Sequence, residues 1–520
     1  MRNALIGKVN TLLVVIILSL TVRVLVMDPP NTPASDYFST LNSHFIEYIN
    51  YTSLKPPLIY LLHWLLVKIH FNSGVPIFFL TSCLAVLSSM IGLIFLFKIS
   101  FEFIKTEFGA ATITLVVSMA LIPFEMWRNG AHYMHISFGI TLFYVFSLWC
   151  FLKGKQTKDL WLLSLSVLLL FMSNSVYLII APIGVGAVML FCSKSFSDLL
   201  IGIKKTALVL LIPIVFATAI SAKNHYQIGV FSPSSLGGGA MSLVMMRTVD
   251  RMTDKIRPVL DEFEAPSWFK WCFDHNHIPE NLKGHPVVEA NSRSFGHCYN
   301  ITTPVENYDL TGIVSAIKHK APQNVLTQIE RDQNLLAEQP YLLMGFAPEL
   351  SLRWNALYMK QAGQIAIKHF ITYPSEYFPI FRVLTNDLIY GGSKFLLNIA
   401  RVSNLGSFQP LVLCSTIILA GGILYSSLLT LAAFPIMIGL LLAKIIGRRR
   451  RRKMFTINKE FIYMVTISTV ALSLVLVYST IVGEENDRYM IYIFPYLVIS
   501  ALLVLSFLAE KIRDHSDGKT

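Results

Sequence analysis

Apolar runs, each close to the length that a helix needs to cross about 30 Å of hydrocarbon, recur along the chain. Only 14% of the 520 residues are charged and 54% are hydrophobic, whereas a soluble globular protein carries roughly 25% charged residues. The sequence therefore predicts an all-α polytopic membrane protein with about ten transmembrane helices. We place the runs at residues 10–27, 76–98, 109–124, 134–152, 159–173, 176–193, 206–221, 410–446, 461–483 and 489–508.

The net charge of +12 is distributed as in membrane proteins and does not indicate nucleic-acid binding. Its densest cluster, Arg448 to Lys453, directly follows an apolar run. Short basic loops mark the cytoplasmic face of a membrane protein. The same arginine run has a second interpretation, as an anionic-lipid site. Further cations flank other runs: Lys153, Lys155, Lys158, Lys194, Lys204, Lys205, Lys511 and Arg513.

These charges predict a cytoplasmic amino terminus and three parts of the chain. Residues 1–221 form an amino-terminal membrane module with an acidic outer loop at 28–75. Residues 222–409 form a large extracytoplasmic loop domain of mixed secondary structure with juxtamembrane helices, and runs compatible with helix lie near 308–338 and 350–372. Residues 410–520 form carboxy-terminal membrane helices and a cytoplasmic tail.

Cys272 and Cys298 lie in the long outer loop, where an oxidising compartment permits a disulfide. Three histidines, His275, His277 and His297, lie near them. A disulfide, two free thiols and a zinc site are the three interpretations, and the absence of CxxC and HExxH spacing makes zinc the weakest. We expect no metal and no cofactor.

The loop before the second apolar run combines acids with a cation next to two prolines. Asp36 and Glu47 lie on either side of an amphipathic stretch, and Lys55 precedes Pro56 and Pro57 in "SLKPPLIYLLHWLLVKIH". Prolines are tolerated in the first turn of a helix, so a helix is expected to start near Pro56. We interpret residues 57–71 as an interfacial or re-entrant segment.

Two more outer junctions have a similar composition. "IPFEMWRNGAHYMHIS" contains Glu125, Arg128, His132 and His135, and "GEENDRYMIYIFPYL" contains Glu484, Glu485, Asp487 and Arg488. The simplest interpretation is that these charges only hold helix ends at the interface. The alternative is a cavity for a phosphorylated lipid, in which cations neutralise the phosphate and a carboxylate deprotonates an acceptor hydroxyl.

The chain resembles polytopic glycosyltransferases of the GT-C fold, above all the branch with protein mannosyltransferases and aminoarabinose transferases. The resemblance rests on "KPPLIYLL", on "RYMIYIFPYL", on residues 223–243 and on "AIKHFITYPSEYFPIFR" at residues 366–382. It implies that the last of these is a juxtamembrane helix. It also implies transfer of a sugar from a polyprenyl-phosphate carrier, with inversion, to a glycan, lipid or protein acceptor on the outer or lumenal face.

The resemblance implies roles for individual residues. Asp36 corresponds to the first-loop acid that serves as base or acceptor ligand, Lys55 to the cation before the paired prolines, and Arg488 with Tyr489 to the arginine–tyrosine pair of the last span. With Arg128, the two other cations would bind the donor phosphate. Relatives often have an aspartate after that arginine, and its absence here argues against metal-assisted binding. The remaining contacts with donor or acceptor are expected from Glu47, His132, His135 and Tyr489.

Two other functions are compatible with the sequence. One is a transporter or flippase, which usually has ionisable residues within its spans; this chain has Arg23 and few others, and no obvious repeat. The other is a non-catalytic protein of the same fold. We expect the bacterial inner membrane as the location, with the endoplasmic reticulum membrane as the alternative.

Overall fold

The computed structural model of the chain consists almost entirely of helices. The described part contains no strand, so the predicted all-α class of the membrane portion is confirmed at that level. The mixed secondary structure predicted for residues 222–409 is not found in the described pieces of that segment, which are mostly helical and contain no strand. The structure describes residues 2–26, 45, 57–127, 132–154, 156–174, 176–192, 196–228, 231–233, 245, 248, 256–265, 348–379, 397–398, 400–401, 405–422, 439, 459–481, 493–503 and 506.

Most of the helices follow the apolar runs of the sequence. In the amino-terminal part they are α1 (Arg2–Val26), α2 (Pro57–Ser73), α3 (Ile77–Ile104), α4 (Glu107–Trp127), α5 (His132–Gly154), α6 (Thr157–Ser173), α7 (Tyr177–Cys192) and α8 (Phe196–Ile228). The later helices are α9 (Ile256–Glu262), α10 (Pro348–Thr372), α11 (Gly406–Gly422, with a 3-10 first turn), α12 (Lys459–Ile481) and α13 (Ile493–Leu503).

Three helical segments of the described part are long and apolar enough to cross a membrane: Ile77–Ile104, Ile136–Gly154 and Leu200–Tyr226. Five shorter apolar helices accompany them, in α1, α4, α7, α11 and α13. The chain is therefore a membrane protein, whereas the predicted total of about ten spans stays a prediction.

Helices α1 and α4 lie side by side and run in the same direction. Near their amino-terminal ends the hydroxyl of Thr11 donates to Glu107 at 3.3 Å, and farther along Arg23 reaches Ser118. The carboxy-terminal ends of both helices therefore lie at the same end of the bundle. We term it the outer end and the opposite one the inner end, following the orientation that the basic residues predict.

Helix α12 runs antiparallel to α5. The Lys459 ammonium at the start of α12 donates to the carbonyl of Lys153 at the end of α5, and the Tyr463 hydroxyl donates to the carbonyl of Val145 at 2.7 Å. Both contacts lie towards the inner end, so α12 finishes at the outer end.

Helix α13 begins at the outer end and runs inwards. The ring of Phe494 lies 6.1 Å from that of Phe138, near the start of α5. Beyond α13, the Ser506 hydroxyl donates to the carbonyl of Phe103 near the inner end of α3. Residues of α3 to α7, α12 and α13 together form one large apolar core.

Candidate functional site

Several helix ends lie at the outer end of the bundle, next to the segments that contain the predicted site residues. Helices α1, α4 and α12 finish there, and α5 and α13 begin there. The chain segments that follow Val26, Trp127 and Ile481, which contain Asp36, Arg128 and Arg488, therefore begin at the same end of the bundle. The three helices α1, α4 and α12 are separated in sequence, and only their packing brings their carboxy-terminal ends to the same side.

Most of the predicted site residues lie outside the described part of the chain, so their predicted roles stay predictions. His132 and His135 are described at backbone level and occupy the first turn of α5. Residues three apart share one face of a helix, so both belong to the same side of α5. The predicted residues outside the described part are Asp36, Glu47, Lys55, Arg128, Arg488, Tyr489, Cys272 and Cys298.

Helix α2 begins at Pro57, close to the predicted start, and has 17 residues. Gly74, with φ of 73°, follows it and lets the chain turn into α3. The Nδ1 atom of His70 lies 2.7 Å from the carbonyl oxygen of Val75, and this hydrogen bond stabilises the turn. Because α3 starts at the outer end, the end of α2 lies there as well. The interfacial or re-entrant placement of α2 stays a prediction.

Arg23 lies just below the outer end and is 1% exposed. One of its terminal nitrogens donates to the Ser118 hydroxyl at 2.9 Å and to the Ser19 carbonyl at 3.2 Å, and the other donates to the Ser118 carbonyl at 3.2 Å. The Ser118 hydroxyl in turn donates to that of Ser19 at 2.8 Å. These contacts join α1 to α4 through a buried polar cluster.

The cluster places a permanent positive charge beneath the outer end. A guanidinium stays protonated in proteins, and the acceptors that Ser19 and Ser118 supply are neutral oxygen atoms. Arg23 also lies in the last turn of α1, where the carbonyl end of the helix favours a cation. Arg23 can be noticed in the sequence because it is a charged residue inside an apolar run. Nothing in the sequence indicates that Ser118 is its partner.

A second polar cluster joins α9 to α10 in the predicted loop domain. The ring of His369 is 2% exposed, and its Nδ1 lies 2.8 Å from the hydroxyl of Tyr377. The Tyr373 hydroxyl donates to Glu262 at 2.7 Å. Since Glu262 belongs to α9, the second bond connects two segments that are far apart in sequence, whereas the first lies within the segment of α10. The predicted juxtamembrane stretch 366–382 thus starts within α10, which ends at Thr372 before the 3-10 turn Pro374–Glu376.

Burial determines how His369 titrates. It lowers the pKa of the imidazole below its ordinary value, and the weaker effects of Glu376 and Glu262 act in the opposite direction. The hydrogen bond to Glu262 raises the pKa of the Tyr373 hydroxyl. At neutral pH both side chains are therefore uncharged. The bond of Tyr373 links the end of α10 to α9, and the bond of His369 holds the 3-10 turn region against α10.

Within the described residues, no group of three or more His, Cys, Asp or Glu side chains is arranged to hold a metal ion. Cys83, Cys150 and Cys414 are free thiols. The chain matches no protein-family model, and no curated protein is similar to it in sequence. The resemblance to GT-C glycosyltransferases therefore rests on the sequence motifs alone, and the function that it implies is a proposal.

Proposed function

We propose that the chain is a membrane glycosyltransferase of the GT-C type. It moves a sugar from a polyprenyl-phosphate carrier to a glycan, lipid or protein acceptor at the outer end of the bundle. The observation that supports this proposal is the shared outer end of α1, α4, α5, α12 and α13, because the three segments that contain Asp36, Arg128 and Arg488 start from it.

In the proposed reaction Asp36 accepts the proton of the acceptor hydroxyl. The hydroxyl oxygen then attacks the anomeric carbon from the face opposite the carrier, and the bond between that carbon and the phosphate oxygen breaks. The sugar is transferred with inversion, and polyprenyl phosphate leaves with the bonding electrons. Lys55, Arg128 and Arg488 stabilise the negative charge that develops on the phosphate.

The test replaces Asp36 by asparagine, which removes the base and keeps the size of the side chain. A general base contributes about 10²–10⁴-fold to a rate, so Asp36→Asn is expected to lower sugar transfer by about that factor at unchanged expression. Transfer is measured by mass spectrometry of surface glycans and glycoproteins from cells with the wild-type chain, the variant or neither. The matched control is Asp198→Asn, an exposed aspartate at the start of α8, near the inner end.

Full transfer by Asp36→Asn would contradict the role of Asp36. Glycans that are identical with and without the chain would contradict the function itself. Movement of a lipid-linked sugar across the membrane without a new glycosidic bond would instead establish the flippase interpretation.

A further inference from the structure

A groove lined by α7 and α8 lies on the surface of the bundle, in the half nearer the inner end. Its volume is about 700 Å³. The side chains along it are almost all apolar: Met189 of α7, and Ile203, Leu210, Leu211 and Ile214 of α8, with Gly186 between them. We term it the inner groove. It lies far from the outer end, so the proposed glycosyl transfer does not use it.

The inner groove faces the hydrocarbon of the bilayer. Ile203, Leu211 and Ile214 are each at least 50% exposed, and they belong to a helix that is apolar enough to cross the membrane. Exposed apolar side chains on such a helix contact lipid. Gly186 contributes to the space, because a Cβ atom at this position would meet nothing within 4 Å. In a bilayer such a surface is surrounded by the acyl chains of lipids, and the inner groove is a recess that one acyl chain can occupy.

The length of the inner groove fits one leaflet. The eleven residue steps from Ile203 to Ile214 rise about 16 Å at 1.5 Å per residue. The hydrocarbon core is about 30 Å thick, so one leaflet contributes about 15 Å. The groove therefore accommodates an acyl chain of the leaflet on the inner side.

A cation borders the inner groove on the side nearest the inner end of the bundle. Lys204 directly follows Ile203 and is exposed. Successive residues of a helix are about 100° apart, so Lys204 lies at the edge of the groove-lining face, whereas Lys205 lies on the opposite side of α8. In the described part of the chain, Lys204 has no carboxylate partner. Its ammonium is thus available to an anion.

We propose that the inner groove binds one anionic phospholipid of the inner leaflet, with an acyl chain between α7 and α8 and the phosphate against Lys204. The apolar lining recognises the chain, and the lysine distinguishes an anionic headgroup from a zwitterionic one. This inference is independent of the proposed glycosyltransferase function, because it concerns the other end of the bundle.

The test is native mass spectrometry of the purified full-length chain, titrated with phosphatidylglycerol or phosphatidylcholine. The wild-type chain is expected to retain one phosphatidylglycerol about five- to tenfold more tightly than phosphatidylcholine, as expected for one lysine near a phosphate. Lys204→Ala should abolish this preference, and Lys205→Ala, which removes an equal charge from the opposite side of α8, should keep it. Gly186→Leu places a side chain in the groove at a position where a Cβ atom meets nothing within 4 Å, and it should prevent retention of the lipid.

Gly421→Leu is the matched control for the glycine, since a Cβ atom there also meets nothing within 4 Å and Gly421 lies outside the groove. Equal retention of the two lipids by the wild-type chain would overturn the assignment of an anionic headgroup. Retention of the lipid by Gly186→Leu would overturn the assignment of the groove. Lys204→Ala remains informative if Gly186→Leu does not fold.

Discussion

At the scale of single residues, Arg23 shows how a charge is accommodated inside a membrane bundle. Removing a guanidinium from water is costly, and its N–H groups must find acceptors within the protein. Ser19 supplies a carbonyl one turn earlier in α1, and Ser118 supplies both a hydroxyl and a carbonyl from α4. The pair Arg23–Ser118 therefore fixes the relative position of the two helices that lead to the segments of Asp36 and Arg128.

The hydroxyl of Ser118 is predicted to stabilise this arrangement. Ser118→Ala removes an acceptor from a buried charged donor, which costs about 1–3 kcal/mol. The free energy of unfolding in detergent, followed by tryptophan fluorescence, is expected to fall by that amount. Ser147→Ala is the control, because its hydroxyl donates only to the Phe143 carbonyl of its own helix. Equal stability of the two variants would show that the hydroxyl of Ser118 contributes nothing to holding Arg23.

His369 is predicted to make the contact between α9 and α10 sensitive to pH. Burial lowers its pKa, so just below the ordinary value of about 6.5 the folded unit binds fewer protons than the unfolded chain. The stability of this unit therefore decreases as the pH falls through that value, and levels off once the folded form is protonated too.

Hydrogen exchange of residues 256–265 and 366–377 at about pH 7.5 and about pH 5.5 measures this effect, after correction for the intrinsic rate. His369→Gln should remove the pH dependence, whereas His225→Gln should leave it in place. Protection that is the same at both pH values in the wild-type chain would refute the prediction.

At the scale of helices, the sequence predicts the elements better than their ends. The run predicted at 350–372 matches α10, Pro348–Thr372. The run predicted at 206–221 is the middle of α8, which extends over Phe196–Ile228 and includes Lys204 and Lys205. The reason is physical: hydropathy marks the part of a helix that lies in hydrocarbon, whereas the backbone hydrogen bonds continue through polar residues until a breaker occurs.

The close approach of α3 and α5 depends on glycine at Gly139. A Cβ atom there would overlap the carbonyl oxygen of Ser88 on α3, and Gly92 lies opposite. Small residues allow such close packing of membrane helices, so Gly139→Ala is predicted to destabilise the bundle by about 1–3 kcal/mol. Thermal unfolding measures the loss. Gly186→Ala is the control, since its Cβ atom meets open space. An equal loss of stability in this variant would mean that the overlap with Ser88 does not cause the destabilisation by Gly139→Ala.

At the scale of the whole molecule, the pattern of charges predicts which loops share a side, but the packing partners are beyond sequence reasoning. The contact of Tyr463 with Val145 joins residues 318 positions apart, and nothing in either local sequence indicates it. Such contacts bring the ends of α1, α4 and α12 together. The roles predicted for Asp36, Lys55, Arg128 and Arg488 concern residues outside the described part, and they stay predictions.

The orientation of the bundle is the prediction on which the outer-face chemistry depends. Most of the described cations of α1 to α8 and α12 lie towards the inner end, among them Lys98, Lys153, Lys158, Lys204, Lys205 and Lys459. Cations are retained on the cytoplasmic side during insertion, so the inner end is expected in the cytoplasm. In a chain whose native cysteines are replaced, Tyr226→Cys at the outer end of α8 should react with a membrane-impermeant maleimide on intact cells, because Tyr226 is 85% exposed. Lys153→Cys at the inner end should react only after permeabilisation. The reverse labelling would place the segments of Asp36, Arg128 and Arg488 in the cytoplasm, and a donor presented on the outer face could not reach them.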